Sequence, residues 1–425
     1  MQRLLRWSER IFKTDMRYVA RGGFWLSAGH VISMVSGLIL SVMFARMLSQ
    51  DVYGVYKYVL SMAGILAIPN MGGIDAALSQ AIARGHDASF WPGLRIRIGW
   101  GLLGSLASVL VALYYFYAGN DGLAFSFLII TVFIPVSDTF GIYSAVLYGK
   151  QDIKNLYTYN SIVQTVSTVA LVATLLCTQE VYFILLAYFL PITLSRFFLM
   201  LVTIKKHPLN TKDESGVLSY GKHLTLMNVL GIVASQIDKV LVFQFVGAAN
   251  LAIYSYASAL PEQIRSFSKG IFNIGGPRLA AISGEEKFKK SLSEKTFTLT
   301  VIFAIIIFIY VIASPYIFKL LYPLYMDSVY FSRIYSIGLI TIPAISLLST
   351  KISVEKNVPL LYKSNVLFGI VSIVLSLTFI KYFGLFGIIF KNTVAWIFLM
   401  FLNYYYFTRP APAGFYADDK SGLKT

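Results

Sequence analysis

The chain has 425 residues, of which 57% are hydrophobic and 13% charged, where soluble domains average about 25% charged. With a mean hydropathy of +0.68, this composition excludes a soluble globular protein and points to a polytopic membrane protein. The net charge of +16 fits basic loops that meet anionic lipid on one side of a bilayer, so membrane lipids, and not nucleic acid, are the expected partners.

Met1 to Arg21 is basic and too polar for the apolar core of a signal peptide. Arg3, Arg6, Arg10, Lys13 and Arg17 alternate with Leu4, Leu5, Trp7 and Ile11. That pattern suits either a short amphipathic helix on the membrane surface or a plain topology signal. Span 1 runs from about Gly23 to Met47, and its small residues suit close helix contact. Span 2, from Gly54 to Ala83, is interrupted at Pro69 and Gly72-Gly73, which predicts a broken helix followed by Asp75. Spans 3 to 6 cover Ile96–Tyr117, Leu123–Leu147, Tyr157–Cys177 and Tyr182–Ile204. Pro135 and Asp138 fall inside span 4, and span 5 carries Asn160 and Gln164.

Residues 205–219 form a polar linker. Spans 7 and 8, within Leu218–Pro277, form a hairpin turned at Gly247–Asn250. This hairpin carries Asp238, Lys239, Glu262 and Arg265 at membrane depth, where each ionisable group costs roughly 2.5–3.5 kcal/mol to insert and usually faces an interior or wet surface. A basic loop follows (Arg278, Lys287, Lys289, Lys290, Lys295). Spans 9 to 12 then cover Phe297–Leu321, Phe331–Ile352, Leu360–Tyr382 and Gly384–Phe407, ahead of a polar tail.

The expected architecture is therefore all-α, with twelve transmembrane helices in two pseudo-symmetric six-helix bundles around a central cavity. A basic segment (1–22) precedes the N-terminal bundle (23–204). The linker (205–219), the C-terminal bundle (220–407) and a tail (408–425) follow. The halves echo each other: Tyr53-Gly54-Val55-Tyr56 after span 1 has a counterpart about 200 residues later in Ala252-Ile253-Tyr254 after span 7. Of the 36 Lys and Arg, about five (Arg46, Lys57, Lys319, Arg333, Lys381) fall in odd-numbered loops, so the even loops and both termini are expected on the cytoplasmic side.

Several function classes are excluded by what the pattern lacks. The outer loops are too short for the external domain of a glycan polymerase or ligase. No GxxxxGK[ST] phosphate loop, HExxH helix or repeated filter loop appears, which argues against an ATPase, an enzyme and a channel. The single cysteine, Cys177, and four scattered histidines give no metal set, and no cofactor is expected.

A set of local patterns carries a resemblance. Phe44-Ala45-Arg46-Met47-Leu48-Ser49 ends span 1, followed by Tyr53-Gly54-Val55-Tyr56 and Gly72-Gly73-Ile74-Asp75-Ala76-Ala77-Leu78. The second half has Tyr220-Gly221, Asp238-Lys239, Ala252-Ile253-Tyr254, Tyr322-Pro323-Leu324-Tyr325 and Phe383-Gly384-Leu385-Phe386-Gly387. Diffusely and over nearly its whole length, the chain resembles the polysaccharide-transport branch of the multidrug/oligosaccharidyl-lipid/polysaccharide (MOP) exporter superfamily, the Wzx-type O-antigen and exopolysaccharide flippases. The resemblance implies alternating access in the inner membrane, a polyprenyl-pyrophosphate-linked glycan as cargo, and glycan polymerase or assembly proteins as partners. The lipid II branch usually has an arginine within span 1 and extra C-terminal spans; here span 1 has His30 and no arginine before Arg46. The multidrug branch, whose cation antiport is the alternative function, commonly relies on a span 1 acid that is absent here.

For this cargo the candidate ligands of pyrophosphate and sugar are Arg265, Lys239, Arg196, Lys391, Gln164 and Gln263. Arg265 leads, because an arginine fork grips phosphate oxygens and it follows the kink at Pro261. A pair with Glu262, three residues earlier, is the competing reading. Lys239, Arg196 and Lys391 are equally placed to snorkel to an interface. Asp138, Asp238 and Glu262 are candidates for ion coupling; Asp138 and Asp238 serve otherwise as partners for Lys239 or Arg265.

Overall fold

A computed structural model of the chain describes residues 16–280, 285–354 and 358–408. The expected amphipathic N-terminal segment and the C-terminal tail lie largely outside the described residues, whereas the basic residues expected in a loop after span 8 fall on two helices that flank 281–284. Among those residues every regular element is helical. The chain forms two compact units, Met1–Val229 and Leu230–Thr425.

The first unit contains α1 (Met16–Met47), α2 (Gln50–Leu66), α3 (Gly73–Ala83), α4 (Phe90–Tyr117), α5 (Asp121–Phe133), α6 (Tyr143–Gly149), α7 (Ile153–Cys177) and α8 (Val181–Lys206). It also holds the first part of α9 (Val217–Val246), since the division falls inside that helix. Helix α1 packs on α7, α4 on α5, and α7 on α8.

The second predicted span is bent by 43° between α2 and α3. The bend is a short turn at Ile68–Asn70 that contains Pro69, and Met71 follows with φ 54°. Proline removes a backbone donor and stops the helix where the sequence places it. The fourth span breaks in the same way: α5 ends at Phe133, just before Pro135, and helix resumes through the turn Thr139–Ile142 into α6. Both breaks lie against α4. A Cβ on Gly101 would sit 2.7 Å from the Pro135 Cα, and one on Gly104 would sit 2.1 Å from the Leu66 carbonyl oxygen, so only glycine lets the three backbones approach. A compact apolar core of Ile74, Leu78, Ile82, Phe90, Ile142 and Val146 joins α3, α4 and α6 nearby.

The segment after α8 is tied down. Asp87, which is 1% exposed, accepts from Lys150 Nζ at 2.7 Å and from the Asn210 backbone at 3.1 Å. Arg84 forms a forked pair with Glu214 at 2.8 and 3.0–3.1 Å.

The second unit contains the rest of α9, then α10 (Ala248–Ala280), α11 (Glu285–Leu321), α12 (Ser328–Gly338), α13 (Ile342–Val354) and α14 (Val358–Thr408). Helix α14 is two helices meeting at Gly384, whose φ of 56° and ψ of −135° belong to glycine alone. The boundary expected between spans 11 and 12 lies at that residue.

Eight described helices are long and apolar enough to cross a membrane, or nine with the bent pair, which makes this a multi-pass membrane protein. Length and apolarity therefore give fewer crossings than the twelve expected. Three features account for the difference. Helix α5 is cut to 13 residues, α10 carries polar and charged residues along its length, and the two helices that meet at the Gly384 kink count together as one 47-residue stretch.

Candidate functional site

Charged side chains gather where helices break or turn, and the backbone explains why. A broken helix leaves carbonyls without their i+4 donors, and in a bilayer no water replaces them. In the first unit two arginines supply the donors. Arg97, on α4 and 2% exposed, donates from Nε to the Asn70 carbonyl at 3.1 Å and from Nη2 to the Asp138 carbonyl at 3.2 Å. It therefore caps both broken spans at once. Its Nη1 pairs with Asp75, fixing the start of α3. Arg196, on α8, donates to the Ser137 carbonyl at 2.8 Å and to the Asp138 carboxylate at 2.6 Å. Asn70 completes the seal by donating to the Ile134 carbonyl at 2.6 Å.

Beside this frame is a cavity of about 170 Å³ lined by Leu60, Ala63, Ser137, Asp138, Tyr188 and Arg196. The Asp138 side chain is 63% exposed and that of Arg196 28%. The cavity thus presents one accessible acid and one accessible fork among the aromatic rings of Phe133, Tyr188 and Phe189.

The second unit has two clusters. In the first, Arg265 Nη1 donates to Glu262 Oε1 at 2.9 Å, and the Tyr335 hydroxyl donates to the same oxygen at 2.5 Å. The guanidinium lies 5.1 Å from the centroid of the Trp396 ring, and Tyr335 meets that ring edge-on at 5.4 Å. Arg265 Nε is buried and has no hydrogen-bond partner among the described residues. In the second cluster, Lys391 Nζ donates to both oxygens of Asp238 at 2.8 Å and to Ser372 Oγ at 3.2 Å. Ser376 and the Tyr254 hydroxyl also donate to Asp238, at 2.6 and 3.3 Å.

These placements revise two sequence expectations. Neither aspartate pairs with Lys239 or Arg265: Asp138 takes Arg196 and Asp238 takes Lys391. Lys391 does not snorkel, being 1% exposed, because Asp238 supplies a countercharge that water would otherwise have to provide. Lys239 donates to Gln236 Oε1 at 3.2 Å, one turn back on its own helix. Gln164 is half-buried on α7 and Gln263 exposed on α10. Arg97, Tyr335, Trp396, Ser372 and Ser376 were not foreseen. Arg97 is the second residue of its predicted span, where a charge reads as a loop residue. A clue lay in that position just inside a span, in a chain where two other spans each contain proline.

The model of one family, described as polysaccharide biosynthesis protein, matches residues 19–274. The chain belongs to that family. No curated protein matches it by sequence. Among solved structures, the lipid II flippase MurJ in an inward closed conformation is similar with a TM-score of 0.65 and 15% identity, covering 89% of this chain and 86% of its own. An inward-facing multidrug resistance MATE family transporter of the MOP superfamily is similar with a TM-score of 0.61 and 12% identity, covering 91% and 98%. A MOP superfamily transporter from Pyrococcus furiosus follows at 0.52 and 12%, covering 92% and 95%. At these identities the likeness establishes the fold alone, one shared with the flippase and the MATE transporter.

Proposed function

We propose that this protein flips a polyprenyl-pyrophosphate-linked oligosaccharide across the cytoplasmic membrane by alternating access, for the synthesis of a cell-surface polysaccharide, and that Arg265 binds the pyrophosphate. The observation that carries this reading is the state of Arg265. Its flat face is held on Trp396 and one donor is held by Glu262, while Nε has no partner among the described residues. A buried donor without an acceptor costs about 1–3 kcal/mol, and native proteins rarely keep one without a use. Phosphate oxygens suit the edge of the guanidinium that Glu262 leaves open. Arg196, accessible in its own cavity beside Tyr188, is a separate candidate for binding an anionic group of the cargo.

The pairing of the acids supports a flippase over a cation antiporter. Among the described residues Asp75, Asp138, Asp238 and Glu262, the carboxylates within the predicted spans, each have a basic partner. A site for a cationic drug needs a carboxylate that is not already neutralised. The family match adds weight, as does the likeness of fold to a lipid II flippase.

Reconstituted vesicles with a fluorescent polyprenyl-pyrophosphoryl disaccharide in one leaflet test this directly. The protein should expose the probe to an impermeant quencher faster than empty vesicles do. Arg265→Ala, losing about 1.5–3 kcal/mol of charge-assisted bonding, should slow that exposure about tenfold or more while remaining folded. A folded Arg265→Ala protein that flips at the normal rate removes Arg265 from the mechanism. Efflux of a fluorescent cationic drug without glycolipid movement replaces the proposal with the antiporter.

A further inference from the structure

The Asp238 cluster has a consequence separate from the cargo. An ammonium group has three N–H donors, and Lys391 Nζ has three acceptors: Asp238 Oδ1 and Oδ2, each at 2.8 Å, and Ser372 Oγ at 3.2 Å. Asp238 is equally complete, because its Oδ1 also accepts from Ser376 and its Oδ2 from Tyr254. Asp238 is 5% exposed, Ser372 5% and Ser376 0%. With Tyr254, on α10, the residues come from four stretches of chain. Asp238 is on α9, Ser372 and Ser376 are on the arm of α14 before Gly384, and Lys391 is on the arm after it. The turn at Gly384 is what lets one helix offer both hydroxyls and an ammonium to the same carboxylate.

We propose that Lys391 is a tethered counter-cation. It holds the position that a dissolved monovalent cation would need beside Asp238, and so fastens both arms of α14 to α9 without any ion from solution. The Asp238 carboxylate is then unavailable as a coupling site for sodium or potassium. Removing the lysine side chain leaves an oxygen-lined pocket carrying one negative charge, which is a site for a small primary ammonium or an alkali ion. Choline, with no N–H and a bulky quaternary head, does not fit the same oxygens.

Thermal unfolding of the purified full-length protein tests this without any transport assay, so the result stands apart from the flippase reading. With ionic strength held at about 0.15 M to keep screening constant, the wild type should melt at the same temperature in sodium, potassium, ethylammonium or choline chloride. Lys391→Ala in choline should melt on the order of 10 °C lower, as expected for a buried charge left unpaired. Ethylammonium or sodium should restore much of that loss, saturably, and the restoration should vanish in Asp238→Asn/Lys391→Ala. If Lys391→Ala is recovered folded only when purified in ethylammonium or sodium, the tether is supported; if no cation recovers it, the proposal is overturned. A saturable rise of the wild-type melting temperature in sodium or potassium over choline also overturns it, as does an equal response of Lys391→Ala to choline.

Discussion

Two ion pairs, one in each unit, join a basic residue near the end of a predicted span to an aspartate, yet they do different work. Asp138–Arg196 opens onto a cavity, with side chains 63% and 28% exposed. Asp238–Lys391 is sealed, at 8% and 1%. The sealed pair has every donor and acceptor filled from within its unit, so it cannot exchange partners without unfolding its surroundings. The open pair leaves most of the Asp138 carboxylate and part of the Arg196 fork accessible, so a ligand anion can compete with Asp138. What separates architecture from a ligand site is access, since residue type and pairing are nearly the same.

The comparison breaks most clearly in the sealed pair. Asp238→Asn should cost about 3–5 kcal/mol, because a buried ammonium is left without its carboxylate. Adding Lys391→Met should return most of that loss, since an apolar side chain of similar length needs no counterion. Thermal unfolding of the two single variants and the double variant measures the coupling. A double variant no better than the worse single one would mean that the charges act apart.

Arg97 provides a case between the two. It is as buried as Lys391 but bonds to backbone as well as to an acid. Arg97→Met should cost about 3 kcal/mol by stranding the Asn70 and Asp138 carbonyls with Asp75. Arg97→Lys should recover only part, because one compact ammonium cannot replace a fork spread over three acceptors. A lysine variant as stable as the wild type would show that the charge matters and the double cap does not.

The open pair should be weak. A double-mutant cycle on Asp138 and Arg196 should give a coupling under about 1 kcal/mol, as accessible pairs do. Arg196→Ala should nevertheless slow glycolipid flipping, whereas the sealed-pair double variant should flip at a rate set by its stability alone. A coupling of several kcal/mol for the open pair would place it with the architecture and withdraw it as a ligand site.

The sequence revealed the helical course well and the pairings poorly, for a physical reason. Helix breaks are written locally: Pro69 and Pro135 stop helices whatever lies around them, and Gly384 turns one because it alone tolerates φ 56°. The short break helix α5 and the polar α10 likewise follow from their own residues. Ion pairs are written across the chain. Lys391 and Asp238 are 153 residues apart and Arg196 and Asp138 are 58 apart, so no local pattern decides whether a lysine snorkels or finds an acid. Glu262–Arg265 was legible because it spans three residues on one helix. Arg97 was hidden because its partners are backbone carbonyls freed by breaks in other helices, and a carbonyl has no letter in a sequence.

A further cluster, outside the spans, also lies at the weak end of the scale. Asp152 caps α7 by accepting from the Asn155 backbone at 3.3 Å, and it also accepts from Lys206 Nζ at 3.2 Å and lies 3.0 Å from His207 Nε2. Partial burial pushes its carboxyl up, but the hydrogen bonds from Asn155, His207 and Lys206 together outweigh this and hold it at about 2, below the ordinary 3.8. A carboxyl depressed in the folded state adds stability above its unfolded value, and that contribution is lost as pH falls through the folded value. After allowance for solvent screening the contribution is about 1 kcal/mol, fully present above about pH 4 and gone near pH 2. Asp152→Asn should lower the melting temperature by about 2–4 °C at neutral pH. It should also flatten the part of the decline between about pH 4 and pH 2 that this carboxylate causes. Wild type and variant falling in parallel across that interval would mean that the cap and its basic partners contribute nothing at an accessible surface, where water already solvates each group.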